Sequence, residues 1–124
     1  MFPTVLLLED DEAHALIIKR AIRPLATEIV HKTTVSDALS ALGTLQVDLI
    51  VTDLRLPDSS GVNHVAELKE RSGDAPIIVL TSSTSLIDAI EALKLGARDF
   101  IVKNFNPEFK DVFSLALSRL HSIL

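Results

Sequence analysis

A parallel five-stranded α/β fold with helices on both faces of the sheet is predicted by three observations on this chain. Short β-rich apolar runs alternate five times with longer segments of helical period. Runs such as Val5-Leu6-Leu7-Leu8 and Ile77-Ile78-Val79-Leu80 are apolar at every position, as strands buried on both faces must be. Four of the runs also close on a polar residue: Asp10, Asp53, Thr81 and Lys103. In parallel α/β sheets the carboxyl ends of the strands open onto one edge, where ligands bind. The four polar residues are therefore expected to meet in one pocket.

Taken in order, the first strand is expected at residues 5–8 and the first helix at about 12–23, ended by Pro24, which cannot continue it. The second strand falls at 28–32, and the second helix at about 36–43 with Ser36 as a candidate cap. Residues 49–52 form the third strand, and a loop shaped by Pro57 and Gly61 leads to a helix at about 62–71. The fourth strand covers 77–81; Ser83 or Thr84 is expected to cap a helix at about 84–95 that Gly96 can end. The fifth strand covers 100–102, and Pro107 suits the first turn of a last helix at about 107–122.

Composition narrows the class. A chain of 124 residues with 48% hydrophobic content suits one compact domain, residues 1–124, with a real core. With no cysteine it has neither disulfides nor thiolate metal sites, which suits a reducing cytoplasm. The start Met1-Phe2-Pro3-Thr4 has no export signature, and no run approaches the roughly 18 apolar residues of a membrane span. The expected location is cytoplasmic, without membrane contact. A net charge of −5 argues against direct binding to nucleic acid, which recruits clustered Lys and Arg.

Glu9-Asp10-Asp11-Glu12 sets four carboxylates directly after a buried strand. They repel one another, so a cation or the positive end of the next helix must offset them. Capping by Asp10 or Asp11 is the plain explanation; a divalent cation site is the sharper one. Oxygen ligands without His or Cys favour Mg²⁺ or Mn²⁺ over zinc. Asp53 precedes Leu54-Arg55-Leu56-Pro57-Asp58-Ser59-Ser60-Gly61, a shaped loop in which the Arg55 backbone carbonyl is placed to be a neutral ligand to the same ion. Asp58 reads as a turn residue. Two carboxylates, the Thr81 hydroxyl and the Lys103 ammonium are the parts of a metal-assisted phosphoryl transfer onto an aspartate.

As a set, these segments resemble the receiver domain of bacterial two-component response regulators, the CheY-like family. The likeness covers the whole chain and rests on Leu6-Leu7-Leu8-Glu9-Asp10-Asp11, on Asp48-Leu49-Ile50-Val51-Thr52-Asp53 with Leu56-Pro57 and Gly61, on Ile77-Ile78-Val79-Leu80-Thr81-Ser82, and on Gly96-Ala97-Arg98-Asp99-Phe100-Ile101-Val102-Lys103. It implies a (βα)5 flavodoxin-like sandwich with strand order 2-1-3-4-5. It also implies that Asp53 accepts a phosphoryl group from the phosphohistidine of a sensor histidine kinase or histidine phosphotransfer protein. Asp10 and Asp53 would bind Mg²⁺ directly and Glu9 through water, with Thr81 and Lys103 contacting the phosphoryl group. Phe100 matches the aromatic switch position that responds when Thr81 moves. Because the acidic pocket is net negative, an absolute Mg²⁺ or Mn²⁺ requirement follows. Such a domain is a signalling module that catalyses its own phosphorylation and dephosphorylation, and not a turnover enzyme.

Three positions qualify the pattern. Asn104 stands where the family commonly has proline, and a cis bond there would cost about 2.5 to 4 kcal/mol, leaving cis and trans both open. Phe100 lacks a tyrosine hydroxyl, so any switch there works by packing. Arg55 and Ser83 occupy variable positions flanking the site, which in the family resemble controls on phosphate lifetime. Other functions fit less well. A haloacid dehalogenase-type phosphatase needs a second Asp where Arg55 stands, and a flavodoxin-like FMN binder needs a hydroxyl- and glycine-rich loop where the acidic cluster stands. A degenerate receiver, acting as a phosphorylation-independent interaction module, is the remaining alternative.

Phe105, Phe109 and Phe113 recur at four-residue spacing, mainly as the core face of the last helix. That helix is apolar beyond one stripe, with Val112, Leu115, Leu117, Leu120, Ile123 and Leu124. An exposed remainder would suit a homodimer or a downstream output domain. His14, His31, His64 and His121 have no metal spacing and read as structural or surface residues, with His64 on an exposed helix face.

Overall fold

A computed structural model describes residues 2–122, and side chains as far as Leu120. Ile123 and Leu124, expected on the last helix, and the side chain of His121 lie outside the described residues. Five parallel strands form the sheet: β1 (Phe2–Leu8), β2 (Ala26–Lys32), β3 (Leu49–Thr52), β4 (Ile77–Thr81) and β5 (Asp99–Val102). Their order is β2-β1-β3-β4-β5, as expected. The helices are α1 (Glu12–Ile22), α2 (Val35–Leu42), α3 (Asn63–Ser72), α4 (Leu86–Lys94) and α5 (Phe109–Ser122).

Two apolar layers sandwich the sheet, because alternate side chains of each strand point to opposite faces. Leu6, Leu8, Ile50, Ile77 and Val79 pack with Val35 and Ala38 of α2, Val65 and Leu68 of α3 and Ala92 of α4. Val5, Leu7, Leu49, Val51, Ile78 and Leu80 pack on the other side with Ala15, Ile18 and Ile22 of α1 and Phe113, Leu117 and Leu120 of α5. Phe109 and Phe113 are buried in that second layer, as the sequence spacing predicts. β1 sits between β2 and β3, so the chain reverses its winding between β1 and β3. That switch point opens a crevice at the strand carboxyl ends.

Several element ends differ from the sequence expectation. Pro24 lies in a 3₁₀ turn, Arg23–Leu25, that follows α1. Thr34, not Ser36, caps α2: its hydroxyl accepts the Asp37 amide at 3.1 Å. The Val35 and Ser36 amides donate to the two oxygens of Asp58 at 2.9 and 3.0 Å, so Asp58 is a long-range cap and not only a turn residue. Ser85, not Ser83 or Thr84, caps α4 by accepting the Asp88 amide at 3.2 Å. Pro107 lies before α5 and not inside its first turn, because Asn106 forms the turn: its side chain accepts the Glu108 amide at 3.0 Å. Gly96 follows α4 with φ +118, a conformation that favours glycine.

Candidate functional site

Strand ends bring the predicted residues to the switch point. Glu9 and Asp10 follow β1, Asp53 follows β3, Thr81 ends β4 and Lys103 follows β5. The backbone sets their depth: the Asp53 amide donates to the Leu8 carbonyl at 3.0 Å, and the Lys103 amide to the Thr81 carbonyl at 2.6 Å. The Lys103–Asn104 bond is trans, since no cis peptide occurs among the described residues, and the lysine reaches the pocket from there.

Lys103 Nζ donates to Asp53 Oδ2 at 2.7 Å and faces Glu9 Oε1 at 2.5 Å, an ion contact without a well-directed hydrogen bond. The Lys103 side chain is 3% exposed and those of Glu9 and Asp53 are 2% and 9%, so this charge group is shielded from solvent. Asp53 Oδ1 accepts the amides of Leu54 at 2.6 Å and, more weakly, Arg55 at 3.4 Å. Glu9 Oε2 accepts the Asp11 amide at 3.2 Å. Thr81 is buried, and its hydroxyl oxygen accepts the Ser83 amide at 3.3 Å. Asp11 serves as the α1 cap, accepting the His14 amide at 3.0 Å, which leaves Asp10 exposed and free of that duty.

The charges are unevenly offset. Burial pushes the Glu9 carboxyl above the usual carboxylate range, against the close contact and charge of Lys103. Burial also pulls Lys103 down, yet its hydrogen bond to Asp53, its close contact with Glu9 and the charges of both carboxylates outweigh it and hold the ammonium above its ordinary value. Both directions follow from two carboxylates sharing one ammonium: Lys103 is doubly paired, while Glu9 is under-compensated.

Glu9, Asp10 and Asp53 each offer a carboxylate oxygen, all within 4.8 Å of one another. With Lys103 as the opposing charge the group stays net negative, and its donors are hard oxygens, one of which, Glu9 Oε1, has no directed hydrogen bond. That donor set fits a hard divalent cation of the Mg²⁺ or Mn²⁺ kind. Arg55 is exposed at the start of a two-residue antiparallel ladder, Arg55–Leu56 with Ser59–Ser60, that shapes the loop beside Asp53. Phe100 lies on β5, half-buried against the layer that holds α4.

Three histidines border this site, which the sequence did not reveal. Lys103 Nζ lies 3.1 Å from His14 Nδ1, which must accept because an ammonium only donates. His31 Nε2 lies 2.7 Å from the Glu9 carbonyl. His64, expected on an exposed face, is 1% exposed, with Nε2 2.9 Å from the Asp53 carbonyl. The pairing of Leu7 with His31 across β1 and β2 is the one signal from which His31 was derivable, given the sheet order. His14 and His64 depend on helix rotation about the sheet, which residue spacing alone does not specify.

Comparisons with known proteins agree with this arrangement. The family described as response regulator receiver domain matches residues 5–109, and the chain belongs to it. It is 37% identical to the regulatory protein LuxO of Vibrio cholerae over 97 residues, which are 78% of this chain and 21% of that protein. The chain thus spans about a fifth of the length of this curated relative. Among solved structures, the signal receiver domain of a putative LuxO repressor protein from Vibrio parahaemolyticus superposes with a TM-score of 0.80 at 29% identity, covering 99% of this chain and 97% of that one. The Mn²⁺-bound form of response regulator Rcp1 superposes with a TM-score of 0.76 at 25% identity, covering 91% and 88%. No helix among the described residues is long and apolar enough to cross a membrane.

Proposed function

We propose that Asp53 is the phosphoacceptor of a two-component relay, taking a phosphoryl group from the phosphohistidine of a sensor histidine kinase or histidine phosphotransfer protein. The observation that carries this reading is the Lys103 ammonium 2.7 Å from Asp53 Oδ2, inside a net-negative group of oxygens at a strand-end crevice. An Asp53 carboxylate oxygen attacks phosphorus, the P–N bond to the donor imidazole breaks, and the imidazole nitrogen keeps the electron pair. Little covalent work falls to the protein, so its task is positioning and charge stabilisation.

Asp10 and Asp53, with the Arg55 carbonyl, would hold Mg²⁺, and Glu9 would act on it through water; the Mn²⁺-bound form of the similar protein Rcp1 supports that assignment. Such an ion neutralises the acidic pocket and the phosphoryl oxygens together. Lys103 moves from the free carboxylate to the phosphoryl oxygens, and the Thr81 hydroxyl, buried one strand away, donates to another. Motion of Thr81 is read by Phe100 on the neighbouring strand, in the register that sets Thr81 beside Val102. Because Phe100 has no hydroxyl, its response is a change of packing.

We further read residues 1–124 as one receiver domain, acting in the cytoplasm as a self-phosphorylating and self-dephosphorylating signalling module. Exposed Val112 and Leu115 on α5, Val102 on β5, and Leu86, Ile87 and Ile90 on α4 support a homodimer or output-domain contact through the last helices. Direct contact with nucleic acid or membrane forms no part of this reading. The deciding experiment is intact-protein mass spectrometry after acetyl phosphate with Mg²⁺, on wild type and Asp53→Asn. A single phosphoryl adduct on wild type alone is expected; no adduct, or an equal one on the variant, overturns the assignment.

A further inference from the structure

We infer that His64 is a positioning residue that locks the loop from Asp53 to Gly61, and with it the acceptor carboxylate and the Arg55 carbonyl, through one imidazole ring. The inference rests on the phosphoacceptor reading for its purpose, but its geometry stands apart from that reading.

His64 occupies a position on α3 between the buried Val62 and Val65, where an aliphatic side chain would complete the core without polar cost. A ring placed there needs partners for both nitrogens, and both partners belong to the acceptor loop. Nε2 lies 2.9 Å from the Asp53 carbonyl oxygen and 3.2 Å from Thr52 Oγ1. A carbonyl oxygen can only accept, so Nε2 carries the proton. Thr52 donates its own hydroxyl to the same carbonyl at 2.8 Å, which gives the Asp53 carbonyl two donors. With Nε2 protonated in the neutral ring, Nδ1 is an acceptor, and Ser59 Oγ, 3.0 Å away, donates to it. Burial also holds the imidazole below its ordinary pKa, which favours the neutral ring over the imidazolium.

The ring thereby joins the two ends of the loop. One nitrogen holds the peptide of Asp53; the other holds Ser59, whose backbone neighbourhood pairs with Arg55 and Leu56 in the short ladder. Asp53 is then held by its amide to Leu8, by its carbonyl to Thr52 and His64, and by Oδ1 to Leu54. A carboxylate fixed in this way loses little freedom when it meets an ion or a phosphoryl group. Partners that hold a metal ligand from behind commonly change affinity or activity 10- to 100-fold when removed.

The test compares His64→Leu, His64→Gln and Ser59→Ala with wild type by Mg²⁺ titration calorimetry, amide hydrogen exchange at Leu54 and Arg55, and thermal unfolding. His64→Leu is expected to weaken Mg²⁺ binding by about tenfold and to speed exchange at both amides, with a melting temperature no lower than wild type. His64→Gln restores a donor toward the Asp53 carbonyl and should recover most of the affinity. Wild-type affinity and exchange in His64→Leu would overturn the inference, as would equal losses in the Gln and Leu variants. Should His64→Leu not fold, Ser59→Ala decides: a partial loss of Mg²⁺ affinity supports the clamp, and none overturns it. Should wild type itself bind no Mg²⁺, the phosphoacceptor reading falls, and amide exchange alone decides the clamp.

Discussion

Lys103 and Asp53, fifty residues apart in sequence, meet at 2.7 Å, and the same ammonium faces Glu9 at 2.5 Å. One cation thus holds two shielded carboxylates apart from each other's repulsion. Its position just after the last strand, tied by its own amide to the Thr81 carbonyl, anchors it as the counter-charge of the Asp53 carboxylate. The consequences of this pairing are measurable.

Lys103→Met should leave two carboxylates without their cation. Losing one partner of a shielded charge group is expensive, and we expect a loss of about 3 kcal/mol at pH 7 without divalent ions. Millimolar Mg²⁺ should recover part of it by binding the folded state alone. Urea unfolding followed by circular dichroism reads both effects; a variant as stable as wild type in EDTA would contradict the account.

Asp10 is exposed and makes no contribution to the core. Asp10→Asn should therefore change stability by less than about 0.5 kcal/mol. Its Mg²⁺ affinity should nevertheless fall by at least about tenfold, since a charged oxygen ligand is lost. In wild type, excess EDTA should abolish labelling by acetyl phosphate, and rapid labelling in EDTA would refute the metal requirement.

Acid should weaken the fold through His64. Burial lowers its pKa from the ordinary 6.5, outweighing the hydrogen bond it donates to the Asp53 carbonyl and the charges of Asp53, Asp58 and Glu67. The unfolded chain therefore binds a proton near pH 6.5 that the folded chain resists. Its titration costs the fold nothing above pH 6.5, and stability is lost as pH falls from there toward the depressed folded value. Urea midpoints at pH 7.5 and 5.5 should drop more for wild type than for His64→Leu; equal drops would remove His64 from the acid response.

Thr81→Ala removes a buried hydroxyl whose only described hydrogen bond is the long one from Ser83. The cost to folding should be small. The rate of labelling by acetyl phosphate should fall by roughly a hundredfold, the typical effect of deleting one donor aimed at developing charge. Phe100→Ala should instead leave that rate near wild type and blunt the spectral change on phosphorylation, followed by amide NMR shifts along β5.

Residue order carried much of this protein. The alternation of fully apolar strands with amphipathic helices determined the layered α/β class, and the polar residues closing those strands named Asp10, Asp53, Thr81 and Lys103. Both signals are local: strand burial shows in a run of four or five residues, and parallel strands always expose the same end. Helix ends were less legible, because capping is a competition among neighbouring hydroxyls that Thr34 and Ser85 win over Ser36, Ser83 and Thr84. What only the tertiary structure decided are contacts between side chains far apart in the chain. Asp58 caps a helix more than twenty residues away, His31 reaches Glu9, and His64 turns inward beneath Asp53. His31 depends on the order and register in which β1 and β2 pair, and Asp58 and His64 on how a loop and a helix are set against the sheet, which the packing of both apolar layers together decides and no short stretch of sequence encodes.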